Sequence, residues 1–138
     1  MAYPKNPSPA DVASARVARL ATQNRAGQID LVPITFAFVD ANTIVTAVDH
    51  KPKRTTRLQR LDNIRFHPQV TLLVDHYDDE WSTLWWVRLR GIATVDEEPD
   101  DALVRPLVAK YQQYVDDRPA GPAILIAVHD VVGWSARG

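Results

Sequence analysis

The run Leu84 to Val95 constrains the fold more than any other stretch, because its apolar residues recur every second position. Trp85, Val87, Leu89, Ala93 and Val95 fall on one face and Trp86, Arg88, Arg90 and Ile92 on the other. A period of two predicts a β-strand with one face turned to a core. The second face interleaves an aromatic ring with two arginines, which suits a subunit interface or the wall of an anionic, planar ligand. A solvated arginine face is the alternative. Runs of similar character at Thr43–Val48, Val70–Tyr77 and Ala123–Val132 predict further strands. Asn24–Gly27 and Asp40–Asn42 read as tight turns, and crossover helices do not recur between strands. That order predicts an antiparallel β-barrel with a few helices and disfavours a doubly wound sheet.

Ile29 to Val39 reads as one long strand. Val32, Ile34, Phe36 and Phe38 are apolar, but so are Leu31, Pro33, Ala37 and Val39, so both faces are expected to be covered, one by the barrel interior and the other by a helix, a subunit or a flat ligand. Pro33 lacks a ladder donor and predicts an edge or bulge. Ser8-Pro9-Ala10-Asp11 opens a first helix with a capping residue, a proline at the first helical position and an acid in the first turn. A second helix is expected over Arg57–Phe66, with Leu58, Leu61, Ile64 and Arg65 on its inner spacing, Arg57, Arg60 and Asp62 toward solvent, and His67-Pro68 ending it. A third opens at Glu97–Asp101, with Leu103, Leu107, Val108 and Tyr111 inward and Pro106 as a kink, and Gly133-Trp134-Ser135 closes the chain after the last strand.

At 138 residues and 46% hydrophobic, the chain is sized for one domain, residues 1–138, with a real core. A net charge of -1 argues against nucleic-acid binding. Without cysteine there is no disulfide, thiolate metal site or cysteine nucleophile, and a reducing cytoplasm is the compatible location. No apolar run approaches the roughly 20 residues of a membrane span, and Met1–Lys5 lacks an apolar signal core.

Between the predicted strand Thr43–Val48 and the second helix lies a basic corner, Asp49-His50-Lys51-Pro52-Lys53-Arg54-Thr55-Thr56-Arg57. Pro52 stops the strand and Thr55 or Thr56 can cap the helix. Lys51, Lys53, Arg54 and Arg57 then surround a helix N-terminus, whose unpaired N–H groups already favour a phosphate or carboxylate. Cations there oppose the helix dipole, which points to a bound anion; a solvated basic turn is the plainer reading. No G-x-G-x-x-G or Walker pattern occurs, so side chains would have to hold a phosphate. His50, His67, His76 and His129 lack the spacing of a helical metal pair. Asp75, His76, Asp78, Asp79 and Glu80 read as a solvated turn, and Ser14, Ser82 and Ser135 sit in no nucleophile elbow. The residues thus suit an aromatic cofactor with an anionic tail.

The order of strands, basic corner and helix, with His67-Pro68-Gln69-Val70 leading into Thr71-Leu72-Leu73-Val74, resembles the pyridoxamine-phosphate-oxidase-like flavin-binding split barrels over nearly the whole chain. Leu31–Phe36, Asp49–Arg54, Leu58–Ile64 and Trp81–Arg88 are similar to the actinobacterial branch that uses the deazaflavin coenzyme F420. The resemblance implies a homodimer of six-stranded split β-barrels with a cofactor in each of two clefts at the dimer interface. It implies that Lys51, Lys53, Arg54 and Arg57 hold the phosphate and that Pro33, Ile34 and Thr35 lie along the ring, with Asp49, Trp86, Arg88 and Trp134 as further cofactor contacts, and clefts at the interface fit the face of Trp86, Arg88 and Arg90. The activity implied is hydride transfer between reduced F420 and a small unsaturated molecule, for which no protein nucleophile is needed. The Arg-Lys motifs of flavin-phosphate oxidases do not map cleanly here, which favours deazaflavin over flavin mononucleotide (FMN). An FMN enzyme of the pyridoxamine-phosphate-oxidase type and a non-catalytic cofactor or tetrapyrrole carrier are the alternatives.

Overall fold

The computed structural model describes residues 6–48 and 54–138, and of residues 54–58 the backbone alone. Its elements follow in the order α1 Pro9–Ser14, β1 Ala18–Gln23, β2 Ile29–Ile34, β3 Ala37–Asp40, β4 Thr43–Ala47, α2 Arg54–Phe66, β5 Gln69–His76, β6 Trp85–Asp96, α3 Asp101–Lys110, α4 Gln113–Asp116 and β7 Ala123–Ser135. The strands form one antiparallel sheet of seven, in the order β2-β1-β5-β6-β7-β4-β3. The count corrects the expected six, and the reason lies in Ile29–Val39. That run is not one strand but two, broken at Thr35-Phe36, so that β2 pairs with β1 at one edge while β3 pairs with β4 at the other.

This break also explains the barrel. Laid flat, seven strands would separate their edges by roughly 29 Å, whereas Thr35 and Phe36 bridge roughly 10 Å. The sheet must therefore curl until β2 and β3 meet. No ladder joins them, and the barrel stays split along that seam.

Alternation along the strands sends Leu20, Ile34, Ile44, Leu72, Val74, Val87, Leu89 and Ile126 into the interior, where Val12 of α1 and Leu61 and Ile64 of α2 join them. Outside, α3 lies across β3 and β4, burying Leu107 and Tyr111 against Ala37, Val45 and Ala123. The expected double coverage thus holds for the β3 half, with a helix as the second cover. The β2 half differs, since Ile29 and Leu31 stay 64% and 66% exposed.

Local signals account for the boundaries. Ser8 and Asp11 make a reciprocal capping box on α1, and the Asp100 carboxylate caps α3 by accepting the Leu103 N–H. Gly27 takes φ +83° in the turn that joins β1 to β2, where Asn24 Oδ1 accepts the N–H groups of Ala26 and Gln28. Three expectations shift. Helix α2 starts at Arg54, which puts Thr55 and Thr56 inside its first turn and not at the cap; β7 runs through Gly133-Trp134-Ser135; and Arg65, expected inward, is exposed and paired with Glu97.

Gly91 marks a tight approach between β6 and β7. The β6–β7 register slips beside it, from Arg90 opposite Asp130 to Gly91 opposite Val128, and a side chain there would bring its Cβ within 2.6 Å of the Ala127 carbonyl oxygen and 2.8 Å of Ile126 Cγ2. Because one of these neighbours is backbone, Gly91→Ala is expected to destabilise by about 1–3 kcal/mol, read as a lower urea midpoint. An unchanged midpoint would show that β7 moves aside freely.

Candidate functional site

The sheet brings together residues far apart in sequence on its uncovered outer face. Pro33 on β2 stands opposite Arg19 on β1, Arg19 opposite Leu73 on β5, Leu73 opposite Arg88 on β6, and Arg88 opposite Val132 on β7. Pro33 and Arg88 are thus in one cross-strand row, roughly 14 Å apart at ordinary inter-strand spacing. One step along, Trp86 lies between Asp75 and Trp134, and Arg90 lies between Thr71 and Asp130. Residues directly opposite share a face, so the two indoles are neighbours. Trp134 is 46% exposed, and Leu73, Ile92 and Val132 are exposed on the same side.

The charges on this face are unevenly satisfied. Arg19 and Asp75 form an ion pair at 2.7 Å. Arg88 is half-buried, and its Nε is buried with no hydrogen-bond partner. A guanidinium N–H withdrawn from water without an acceptor is costly, and this one lies on the face that no helix among the described residues covers.

At the seam the expected ring contacts divide. Pro33 is exposed on the outer face, but Ile34 is only 5% exposed and points into the core. Thr35 is held in the corner, its Oγ1 2.8 Å from Tyr114 Oη and its carbonyl accepting a 2.7 Å bond from Thr46 Oγ1. Phe36 is fully buried; its N–H donates to Tyr111 Oη at 3.2 Å and its carbonyl accepts from Lys110 Nζ at 2.8 Å. The backbone groups of Phe36 are thus paired by α3 and its C-terminus, and the Thr35 carbonyl by β4. Lys110 Nζ also sits 3.7 Å from the centre of the Phe36 ring.

Burial, with the nearby Arg16 charge, lowers the Lys110 pKa to about 8, and burial raises that of Tyr111. The signs give a pH profile. Between about 8 and the ordinary lysine value of 10.5 the unfolded chain holds the Lys110 proton and the folded one has lost it, so this group makes stability rise with pH across that window. Above 10.0 the Tyr111 phenol opposes it, because the folded state retains a proton that the unfolded chain releases. Urea midpoints are expected to rise between pH 8 and 10 in the native chain and to lose that rise in Lys110→Met. An identical profile in both would remove Lys110 as the cause.

Of the basic corner, Asp49, Lys51 and Lys53 lie outside the described residues; Arg54 and Arg57 are in the first turns of α2, one turn apart. Arg60, expected in solvent, is instead half-buried and lines a cleft of about 370 Å³ between α2 and β2. Sequence reasoning missed this cleft because Arg60 has the spacing of a solvated helical position; the hint available was Asn63, a polar residue beside the inner positions Leu61 and Ile64, which proves fully buried. Among the described residues no group of three metal-ligating side chains occurs, and no helix is long and apolar enough to cross a membrane.

Comparison with known proteins agrees with this architecture. A conserved hypothetical protein of Mycobacterium tuberculosis superposes with a TM-score of 0.72 at 23% identity, over 99% of this chain and 91% of that one. An F420 reductase superposes at 0.63 with 18% identity over 88% and 94%, and a heme storage protein of Vibrio cholerae at 0.65 with 12% identity over 88% and 86%. At such identities the likeness is one of fold. A search of curated proteins finds no match. The family model described as pyridoxamine 5′-phosphate oxidase matches residues 10–135. With a split antiparallel barrel and a model match along nearly all of its length, the chain belongs to the pyridoxamine 5′-phosphate oxidase family.

Proposed function

We propose that this chain is an F420-dependent oxidoreductase, with residues 1–138 acting as one domain and two copies pairing through the outer sheet face. The observation that carries the reading is Arg88, whose buried Nε has no acceptor and lies beside Trp86 and Trp134 in line with the exposed Pro33. A planar group with an anionic tail, lodged where a second copy covers this face, would satisfy both the arginine and the apolar surface.

In this reading Lys51, Lys53, Arg54 and Arg57 hold the phosphate, with Asp49 beside them. Pro33 offers the ring a flat contact, and Ile34 and Thr35 fix its position, one packed in the core and the other bonded to Tyr114. The reduced coenzyme supplies a hydride. The protein binds, orients and excludes water, and Arg88 or Arg90 holds an anionic group on a small substrate with an activated double bond.

The test is a titration of cofactor-stripped protein with F420, with FMN and with hemin, followed by quenching of Trp81, Trp85, Trp86 and Trp134. Saturation by F420 at micromolar or lower concentration, with weak binding of the others, supports the proposal, and oxidation of the reduced coenzyme across a panel of conjugated carbonyls then tests turnover. Preference for FMN moves the protein to a flavin enzyme, and preference for hemin without turnover makes it a carrier. For the pairing, Trp86→Ala removes a large aromatic anchor and is expected to weaken the dimer by about 2 kcal/mol or more, read by sedimentation at low concentration. An unaltered profile would place Trp86 outside the interface.

A further inference from the structure

We infer that the cleft between α2 and β2 is a binding site for a small organic carboxylate with an apolar body, held by Arg60. The cleft is lined by Thr22, Ile29, Leu31 and Val32 with Asp30, Gln59, Arg60 and Asn63, and its volume of about 370 Å³ is in the range of small-molecule sites. Its polar floor is built on Asn63. This fully buried side chain donates to Thr22 Oγ1 at 3.1 Å and to the Asp30 carboxylate at 2.7 Å, and accepts from Gln59 Nε2 at 2.8 Å. A satisfied amide hub of this kind holds its neighbours in place.

Arg60 is the exception on that floor. Its Nε is buried with no hydrogen-bond partner, and no carboxylate of the described residues lies within ion-pair distance, although Asp30 lines the same cleft. Asp30 is instead tied to Asn63. Burial also lowers the pKa of the guanidinium, the mark of a charge that has lost water without gaining a counter-ion. An anion in the cleft would pair with the terminal Nη groups of Arg60, which are not buried, and so offset the hydration that the guanidinium has lost.

The composition of the cleft narrows the anion. A planar carboxylate matches the guanidinium fork and brings one negative charge into a cleft that also holds Asp30, half of what a phosphate dianion would bring. A phosphate dianion would be left with uncompensated charge beside Asp30, so the site disfavours it. The walls add the second requirement. Val32, half-buried on the same side of β2 as Asp30, is the apolar wall against which an aryl or alkyl body on the carboxylate would pack. This inference does not depend on which cofactor the basic corner takes.

The experiment is a titration of the full chain with benzoate and, separately, with inorganic phosphate, following the Arg60 Nε–H and Asn63 side-chain amide resonances by 15N NMR. Saturable shifts with benzoate, at a dissociation constant on the order of 1 mM or tighter, are expected, with phosphate producing little change. In R60Q the benzoate affinity is expected to fall roughly tenfold or more. R88Q is expected to leave it intact. Absence of saturable shifts, equal or stronger binding of phosphate, or unchanged affinity in R60Q with the fold retained by circular dichroism would each overturn the assignment. So would an R60Q variant that shifts the monomer–dimer balance while the native chain ignores benzoate, since Arg60 would then be serving a second copy. If R60Q does not fold, the benzoate and phosphate arms on the native chain decide alone.

Discussion

Alanine at both Lys53 and Arg54 is expected to weaken F420 binding by about a hundredfold or more while leaving the fold intact. Each charge-assisted bond to a phosphate contributes roughly 1.5–3 kcal/mol, and about 1.4 kcal/mol is a factor of ten in affinity. Two neighbours on one anion do not add fully, which makes a hundredfold the lower figure. Stability should not suffer, because a cation in the first turn of α2, where Arg54 lies, opposes the helix dipole and its removal relieves it by a few tenths of a kcal/mol. The two readouts therefore move in opposite directions, a pattern that generalised unfolding cannot imitate. Fluorescence titration with F420 and a urea midpoint on the same preparation check both. Affinity equal to that of the native chain would take the basic corner out of the site.

Phe36→Ala is expected to destabilise the chain by about 3–5 kcal/mol, the range for truncating a fully buried aromatic residue. Its ring belongs to the main core, edge-on to Phe38, and lies in the two-residue bridge that brings β2 and β3 together. Loss of the ring leaves a cavity beside the backbone groups that α3 pairs through Lys110 and Tyr111. A second readout separates this corner from an ordinary core defect. The Lys110 ammonium rests 3.7 Å from the Phe36 ring centre, and water entering the vacated space would raise its pKa from about 8 toward 10.5. Urea denaturation gives the first effect and NMR titration of the Lys110 Nζ the second. A midpoint within about 1 kcal/mol of native would mean that the corner collapses to fill the space.

Much of the architecture is legible in residue order because it rests on local rules. Alternation from Trp85 to Val95 assigns the two faces of β6 correctly, since side chains on a strand must alternate. The capping box at Ser8 and the Asn24–Gly27 turn mark boundaries through bonds that span four residues or fewer. The strand count failed at Thr35-Phe36 for the converse reason. Pro33 signals an edge or bulge in Ile29–Val39 but not that the run divides between opposite edges of the sheet; that division is supported by Tyr111 and Lys110, far along the chain, which pair the freed backbone groups of Phe36. Arg60 was misplaced likewise, as helical spacing cannot show that β2 lies against that side of α2.

Residue pattern alone therefore settles a mainly β, antiparallel chain with an arginine–tryptophan strand face and a basic helix entry, because period, capping and turn chemistry act over a few neighbours. Tertiary structure decides which of those features meet. Pairing register sets Pro33, Arg88 and Val132 in one row and Trp134 beside Trp86, and the curl of the sheet leaves this face uncovered while α3 covers another. Register is a property of two strands together, fixed by which faces the whole core can bury, and a linear pattern contains no such sum.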